Sequence, residues 1–438
     1  MTASAPPQSS LPRKSFAIIF AVSAATAMGN TGLISVLPAI GRSIGIADFM
    51  VSGIFSLSAL LWAVSSPFWA RASDRYGRKP LMLVGLAGFA VSMALCGAVV
   101  SAGLLHLAPP LIIFALFLLA RALFGLFGAA SNPATQAYVA ERTPPEGRTQ
   151  AMASLAGAFG LGTVIGPFLA PLFIYPVIGL AGPLYTFSLI AVAMLFVVWR
   201  WLPDSRVAPE AQRPLRPVMG APKERPMWRD PRITPFLLYG FIVATCQTAQ
   251  AQTLGFLIID KLGMSPAQAQ YFIAIAMMFG AVAGLLAQWG LIRMFQMTPR
   301  QLLRWGVGIA ALGNLIVALS PQYYGVVVGY AVSSLGFGFA RPGFTAGSSI
   351  AVGIEEQARV AGAIAAVNGI NVIFAPAFVF LYQHYGPLPF LLNTVLMAWL
   401  LVYAFRNAAL KNADPQPATR DAATLATLEK RDEGGGGL

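Results

Sequence analysis

Arg121 and Arg341 each sit inside a long apolar stretch, Arg121 ahead of the small residues Gly125, Gly128, Ala129 and Ala130, and Arg341 directly before Pro342. A guanidinium at mid-bilayer depth costs at least ~2.5 kcal/mol on insertion scales, so each must face a protein interior or a wet cavity. There it can hold an anionic group or control a proton relay. Neutral amides accompany them in the same kind of stretch: Asn30, Asn132, Gln136, Gln247, Gln250, Asn368 and Asn371. The pairs Gln247/Gln250 and Asn368/Asn371 have i, i+3 spacing, which predicts a shared helix face. Interhelical hydrogen bonding worth roughly 0.6 kcal/mol each is the purely structural alternative. None of the 16 carboxylates falls in the middle of an apolar stretch; Asp48, Asp74 and Asp260 stand at the ends. Two positive charges with no acid at their depth favour an anionic, zwitterionic or neutral amphipathic ligand over a lipophilic dication.

Other chemistry is poorly represented. There is no His-Glu-x-x-His, no Gly-x-Ser-x-Gly and no Walker loop, and the two histidines, His106 and His384, lie near turns. Cys96 and Cys246 are isolated in apolar runs, with neither a disulfide framework nor metal-type spacing. The chain therefore reads as no enzyme, with no cofactor and no metal.

The elements that must position these residues follow from composition. Of 438 residues 57% are hydrophobic and 10% charged, with a mean hydropathy of +0.69; a soluble domain carries about 25% charged residues. This is an all-α polytopic membrane protein. The net charge of +13 raises the question of nucleic acid, and the distribution answers it. Apart from Arg42 and Lys261 on outer loops and Arg121 and Arg341 inside spans, the other 25 of the 29 basic residues fall on the tails and on alternate loops of one side. The positive-inside rule then places both termini in the cytoplasm of an inner (plasma) membrane, and no nucleic-acid-binding face is implied. The first apolar run, residues 16–40, is too long for a cleaved signal core and counts as a span.

About twelve spans can be drawn, in two six-helix halves. A polar tail at 1–14, expected to be disordered, precedes a first bundle at 15–202. A basic, Pro-rich linker at 203–234, which can neither pack a core nor sit in lipid, leads to a second bundle at 235–405 and a polar cytoplasmic tail at 406–438. A repeat supports the division. Asn132-Pro133-Ala134 answers Arg341-Pro342-Gly343, and Gly166-Pro167 answers Ala375-Pro376 at the same offset. Between the second and third spans runs Asp74-Arg75-Tyr76-Gly77-Arg78-Lys79, a tight basic turn.

That turn closely resembles the loop motif of the major facilitator superfamily of transporters, although the family's opening glycine is Ala70 here. Arg121 with Gly125 resembles the fourth-helix motif of its proton-coupled members. Gly162-Thr163-Val164-Ile165-Gly166-Pro167 brings two small residues onto one face with a proline that frees a carbonyl, which allows close packing and a bend; it also resembles the antiporter motif of the twelve-span drug:proton branch, with Ala170-Pro171 where that branch has two glycines. The resemblance implies a monomeric secondary transporter of a small-molecule substrate, working by alternating access in the lipid bilayer with protons as coupling ion. Export of a drug or metabolite is the first expectation. An importer or uncoupled facilitator of a polar or anionic metabolite, or a membrane sensor, is the alternative. Asp74, Arg75, Gly77, Arg78, Lys79, Arg148 and Arg359 are expected to form a cytoplasmic gate, with Asp74 near the start of the eleventh helix, where the positive dipole end and Arg359 both favour a carboxylate. Proton-coupled exporters commonly carry an embedded acid in helix 1, where this chain has Asn30.

Overall fold

The computed structural model describes residues 12–204, 227–353, 356–411 and 413–414. The 1–11 part of the expected disordered tail and most of both the expected linker and the last tail lie outside the described residues. Among the described residues twelve helices are long and apolar enough to cross a membrane. In the first half these are α1 (Arg13–Ile44), α2 (Asp48–Tyr76), α3 (Arg78–Leu104), α4 (Pro110–Arg142), α5 (Gln150–Phe173) and α6 (Gly182–Trp201). The second half holds α7 (Thr234–Leu262), α8 (Pro266–Met294), α9 (Pro299–Leu319), α10 (Tyr323–Ile350), α11 (Arg359–His384) and α12 (Leu388–Arg406). Arg13 and Lys14, expected in the tail, already belong to α1. Twelve crossings bring the start of α1 and the end of α12 to one end of the bundle, the terminal end; the opposite end is the far end. Left-handed glycines make the tight reversals, Gly45 (φ 83°) closing α1 and Gly77 (φ 94°) separating α2 from α3.

Within the first half α1 packs on α5, α3 on α6 and α4, and α2 on α4; within the second, α10 packs on α9 and α8, and α9 on α12. Between halves α2 meets α11 and α5 meets α8, while α1 meets α7 and α8. A shift of six helices exchanges the first two contacts, which is the pseudo-symmetry that the sequence repeat predicts. In lipid, apolar side chains gain nothing by leaving the solvent, so close backbone approach must hold such pairs. A Cβ on Gly162 would lie 2.2 Å from the Ala24 carbonyl oxygen, and one on Gly166 would lie 2.2 Å from that of Met28. These two glycines are what let α5 lie on α1.

The recurring prolines matter at the interface between halves. Pro376 has no N–H, so the carbonyl of Val372 one turn earlier loses its helical donor. Ser56 of α2 supplies one, its Oγ donating to Val372 at 2.7 Å across the halves. Other joins lie on the far side of the molecule. Gln270 of α8 donates to Ser35 of α1 at 3.3 Å, Ser52 of α2 donates to Gln252 of α7, and Pro38 packs on Gly255, where a Cβ would lie 2.5 Å from its ring.

Arg42, in the last turn of α1, caps this seal. It donates from two nitrogens to both oxygens of Asp48 at 2.7 Å, a bidentate pair within its own half, and its Nη1 lies 3.1 Å from Asp260 of α7. Tyr382 of α11 donates to the same Asp260, and Phe380 meets Phe49 of α2 edge-on. Above the network is a vestibule of about 780 Å³, walled also by Lys261, whose ammonium donates to the Ser320 carbonyl. The far end is therefore shut.

Two outcomes follow from this packing. Gly166→Ala forces a methyl group into backbone, and overpacking of that kind costs ~1–3 kcal/mol. Its thermal unfolding midpoint in detergent should fall clearly below that of Gly157→Ala, where a Cβ has room at 3.5 Å from Trp289; equal midpoints would refute the close α1–α5 approach. Asp260→Asn weakens a half-exposed ion pair worth about 0.2–1 kcal/mol. A cysteine at Leu254, fully buried and more than one turn deeper in α7 than Asp260, should then react with a water-soluble maleimide roughly 1.4- to 5-fold faster. No change would mean that the ion pair does not hold the seal.

Candidate functional site

The second half builds a polar station where α7, α10 and α11 converge. Arg341 of α10 is exposed; its Nη2 donates to Asn368 of α11 at 3.1 Å and its Nη1 to Gln247 of α7 at 3.4 Å. Because α7 and α11 both contact the first half, the guanidinium stands on the inter-half side, on the terminal side of the seal. Asn371 braces the station from behind. It is buried, accepts from Thr248 of α7 at 2.7 Å and donates to the carbonyls of Asn368 and Val367. No carboxylate is bonded to Arg341 among the described residues, so two neutral amide oxygens are its fixed partners. A planar fork held open in this way can receive a carboxylate, sulfonate or phosphate bidentately.

Gln250 is separate from Gln247 despite their spacing. It is 1% exposed and donates to Ser333 inside the contact between α7 and α10, whereas Gln247 is half-buried. In the first half, Asn132 and Gln136 of α4 are both exposed and bonded to each other at 3.2 Å.

Arg121 is 1% exposed, enclosed in the wall of the first half. Its Nη2 donates to Asn30 of α1, and its guanidinium lies 4.3 Å from the ring centroid of Phe124 and 5.4 Å from that of Phe55. Nε and Nη1 have no hydrogen-bond partner among the described residues. The α4 backbone around it is pinned by neighbours, Ser58 donating to the Arg121 carbonyl at 3.2 Å and Ser92 to that of Ala120 at 2.7 Å.

The basic turn at the terminal end is organised by Arg78, which is 8% exposed. It donates to Asp74 at 2.6 Å, to Ser73 at 3.0 Å and, through Nε at 2.9 Å, to Glu141 at the end of α4. Lys79 lies 3.5 Å from Asp204 beyond α6, and Arg75 covers the Tyr76 ring. The turn thus clamps the ends of α2, α3, α4 and α6 together. Arg148 is exposed near the start of α5, and Arg359 is half-buried at the start of α11. In the second half Arg232 joins Asp230 at 2.7 Å and Glu356 at 3.1 Å, and this hydrogen bonding holds the Asp230 carboxyl below the usual carboxylate range.

Glu141 and the far-end set of Arg42, Ser52, Gln252, Gln270 and Tyr382 are absent from the sequence-predicted site. Opposite charges at adjoining span ends, Arg42 with Asp48 and Asp260, are the signal that could have exposed the ionic part. The neutral partners carry none.

The sequence profile of the Major Facilitator Superfamily matches residues 19–376. The class H tetracycline resistance protein of Pasteurella multocida is 24% identical over 415 residues, 90% of this chain and 96% of the relative. Multidrug resistance protein 2 of Bacillus subtilis (strain 168) is 24% identical over 355 residues, 79% of this chain and 82% of the relative. Among solved structures, a bacterial homolog to the human lysosomal transporter Spinster, in an inward-facing and unoccupied conformation, aligns with a TM-score of 0.70 at 15% identity over 93% of this chain and 100% of that one. With twelve spans in two pseudo-symmetric halves, this chain belongs to the major facilitator superfamily, a family of transporters.

Proposed function

We propose that the protein exports a small amphipathic solute carrying an anionic or zwitterionic group, and that Arg341 is the counter-charge. The observation that carries this reading is an exposed guanidinium between halves, on the terminal side of a shut far end, with amides and no carboxylate as partners. Asn132 and Gln136 offer hydrogen bonds from the opposite half. The terminal end is cytoplasmic in this reading, in the inner membrane, so solute enters from the cytoplasm. Parting of Arg42 from Asp260 would release it on the far side. The working unit is one chain, since both halves of the site lie in it. The two resistance-protein relatives support export over uptake. Asp48, Asp74 and Asp260 are the span-end carboxylates through which proton exchange would run.

The test is efflux from proteoliposomes of a fluorescent monoanion and a monocation of similar size, with and without an imposed pH gradient. Wild type should move the anion in preference. A charge-assisted hydrogen bond is worth ~1.5–3 kcal/mol, so Arg341→Gln should raise KM for the anion roughly 10- to 100-fold with the thermal midpoint unchanged. Arg341→Lys should recover part of the loss, because charge remains and the planar fork does not. Preferred transport of the cation, or an unaltered KM in Arg341→Gln, would defeat the proposal.

A further inference from the structure

We infer that a groove on the outside of the second half, between α9 and α12 at the terminal end, binds an anionic glycerophospholipid of the surrounding leaflet. The groove has a volume of about 690 Å³. Arg300 and Arg304 stand at its mouth, and Trp305, Leu312, Leu401 and Phe405 line its length. From Arg304 to Leu312 the helix rises about 12 Å, a large part of one leaflet's apolar depth. Trp305, Leu312 and Phe405 are each more than half exposed, so the trough is dry surface facing outward from the bundle.

The mouth is prepared for an anion, and the helix end is not what prepares it. Thr298 and Gln301 form a reciprocal capping box, and the N–H of Arg300 already donates to Asp414 at 3.0 Å, so the first-turn donors of α9 are occupied. What remains without an ionic partner among the described residues is guanidinium. Arg304 lies over the Phe405 ring at 4.1 Å, its Nε is buried without a partner, and neither Arg300 nor Arg304 has a salt bridge among the described residues. Their like charges repel across a short distance while Asp414 offsets one of them. One surplus positive charge matches the single negative charge of a phosphodiester, and the apolar trough beside it matches an acyl chain. Free phosphate would use the mouth alone and leave the trough empty. The site lies outside the inter-half interface and is independent of the exported solute.

Trp305 provides the probe. The full chain in detergent is titrated with phosphatidylglycerol or phosphatidylcholine bearing brominated acyl chains, and the Trp305 contribution is taken as the difference between wild type and Trp305→Phe. Brominated phosphatidylglycerol should quench that contribution at least threefold more effectively, and Arg300→Gln/Arg304→Gln should bring the two lipids level. Equal quenching in wild type overturns the proposal whether or not the double variant folds. So does a preference that survives in the folded double variant. Quenching by neither lipid would mean that the groove is filled by something else and overturns it as well.

Discussion

Removing a guanidinium from water without partners costs several kcal/mol, and this chain places one guanidinium inside each of two spans. Each case has its own resolution. Arg121 is walled in: one nitrogen has Asn30, two aromatic faces lie against the cation, and two nitrogens remain unsatisfied. Arg341 stays wet. Its two amide partners satisfy part of the fork, and exposure on the terminal side supplies the remainder. Under alternating access that exposure must end when the terminal side closes. An empty cavity would then strand a half-satisfied cation, whereas one holding an anion would not. On the proposed reading the electrostatic cost of closing would depend on what is bound, which would couple binding to movement.

The far seal answers the opposite problem, since it must open without leaving charges stranded. Most of it is neutral and small: serine hydroxyls, glutamine amides, a proline on a glycine, and a carbonyl that a second proline frees. Its ionic part centres on Arg42, which holds both oxygens of Asp48 in its own half at 2.7 Å and both oxygens of Asp260 in the other at the longer distance of 3.1 Å. If the halves part, Arg42 keeps Asp48, and Asp260 keeps the hydroxyl of Tyr382. Each side retains a partner, so only the weaker link across the interface has to break.

The spans, their two-half arrangement and the proline repeat are legible in the sequence because lipid imposes them: backbone must be helical there, and apolar runs are visible without any tertiary information. The packing role of Gly162 and Gly166 rests on the same local logic. What cannot be read is which polar group finds which partner. Gln247 and Gln250 are about 60° apart around an ideal helix, and that rotation is enough to send one to the exposed Arg341 and the other to Ser333, buried in the contact between α7 and α10. Arg78 with Glu141 joins two span ends far apart in sequence, and nothing local in either marks the pair. Arg121 and Arg341 look alike as isolated arginines in apolar runs, and only the packed rings of Phe55 and Phe124 separate an enclosed charge from an open one.

The repeat also shows where the halves have diverged. Asn132-Pro133 and Arg341-Pro342 occupy equivalent places, and Pro342 sits inside α10. A proline frees a carbonyl one turn earlier and disfavours close packing around it, so this place in each half is predisposed to hold a polar side chain near water. In α4 that side chain is an amide bonded to Gln136; in α10 it is a cation bonded to two amides from neighbouring helices. One half therefore offers neutral hydrogen bonding and the other a fixed positive charge. A ligand spanning them would be held by charge at one end only, so the two halves need not grip it equally as they move. Such an unequal grip lets a ligand stay with one half while the other swings away, without losing its only electrostatic partner.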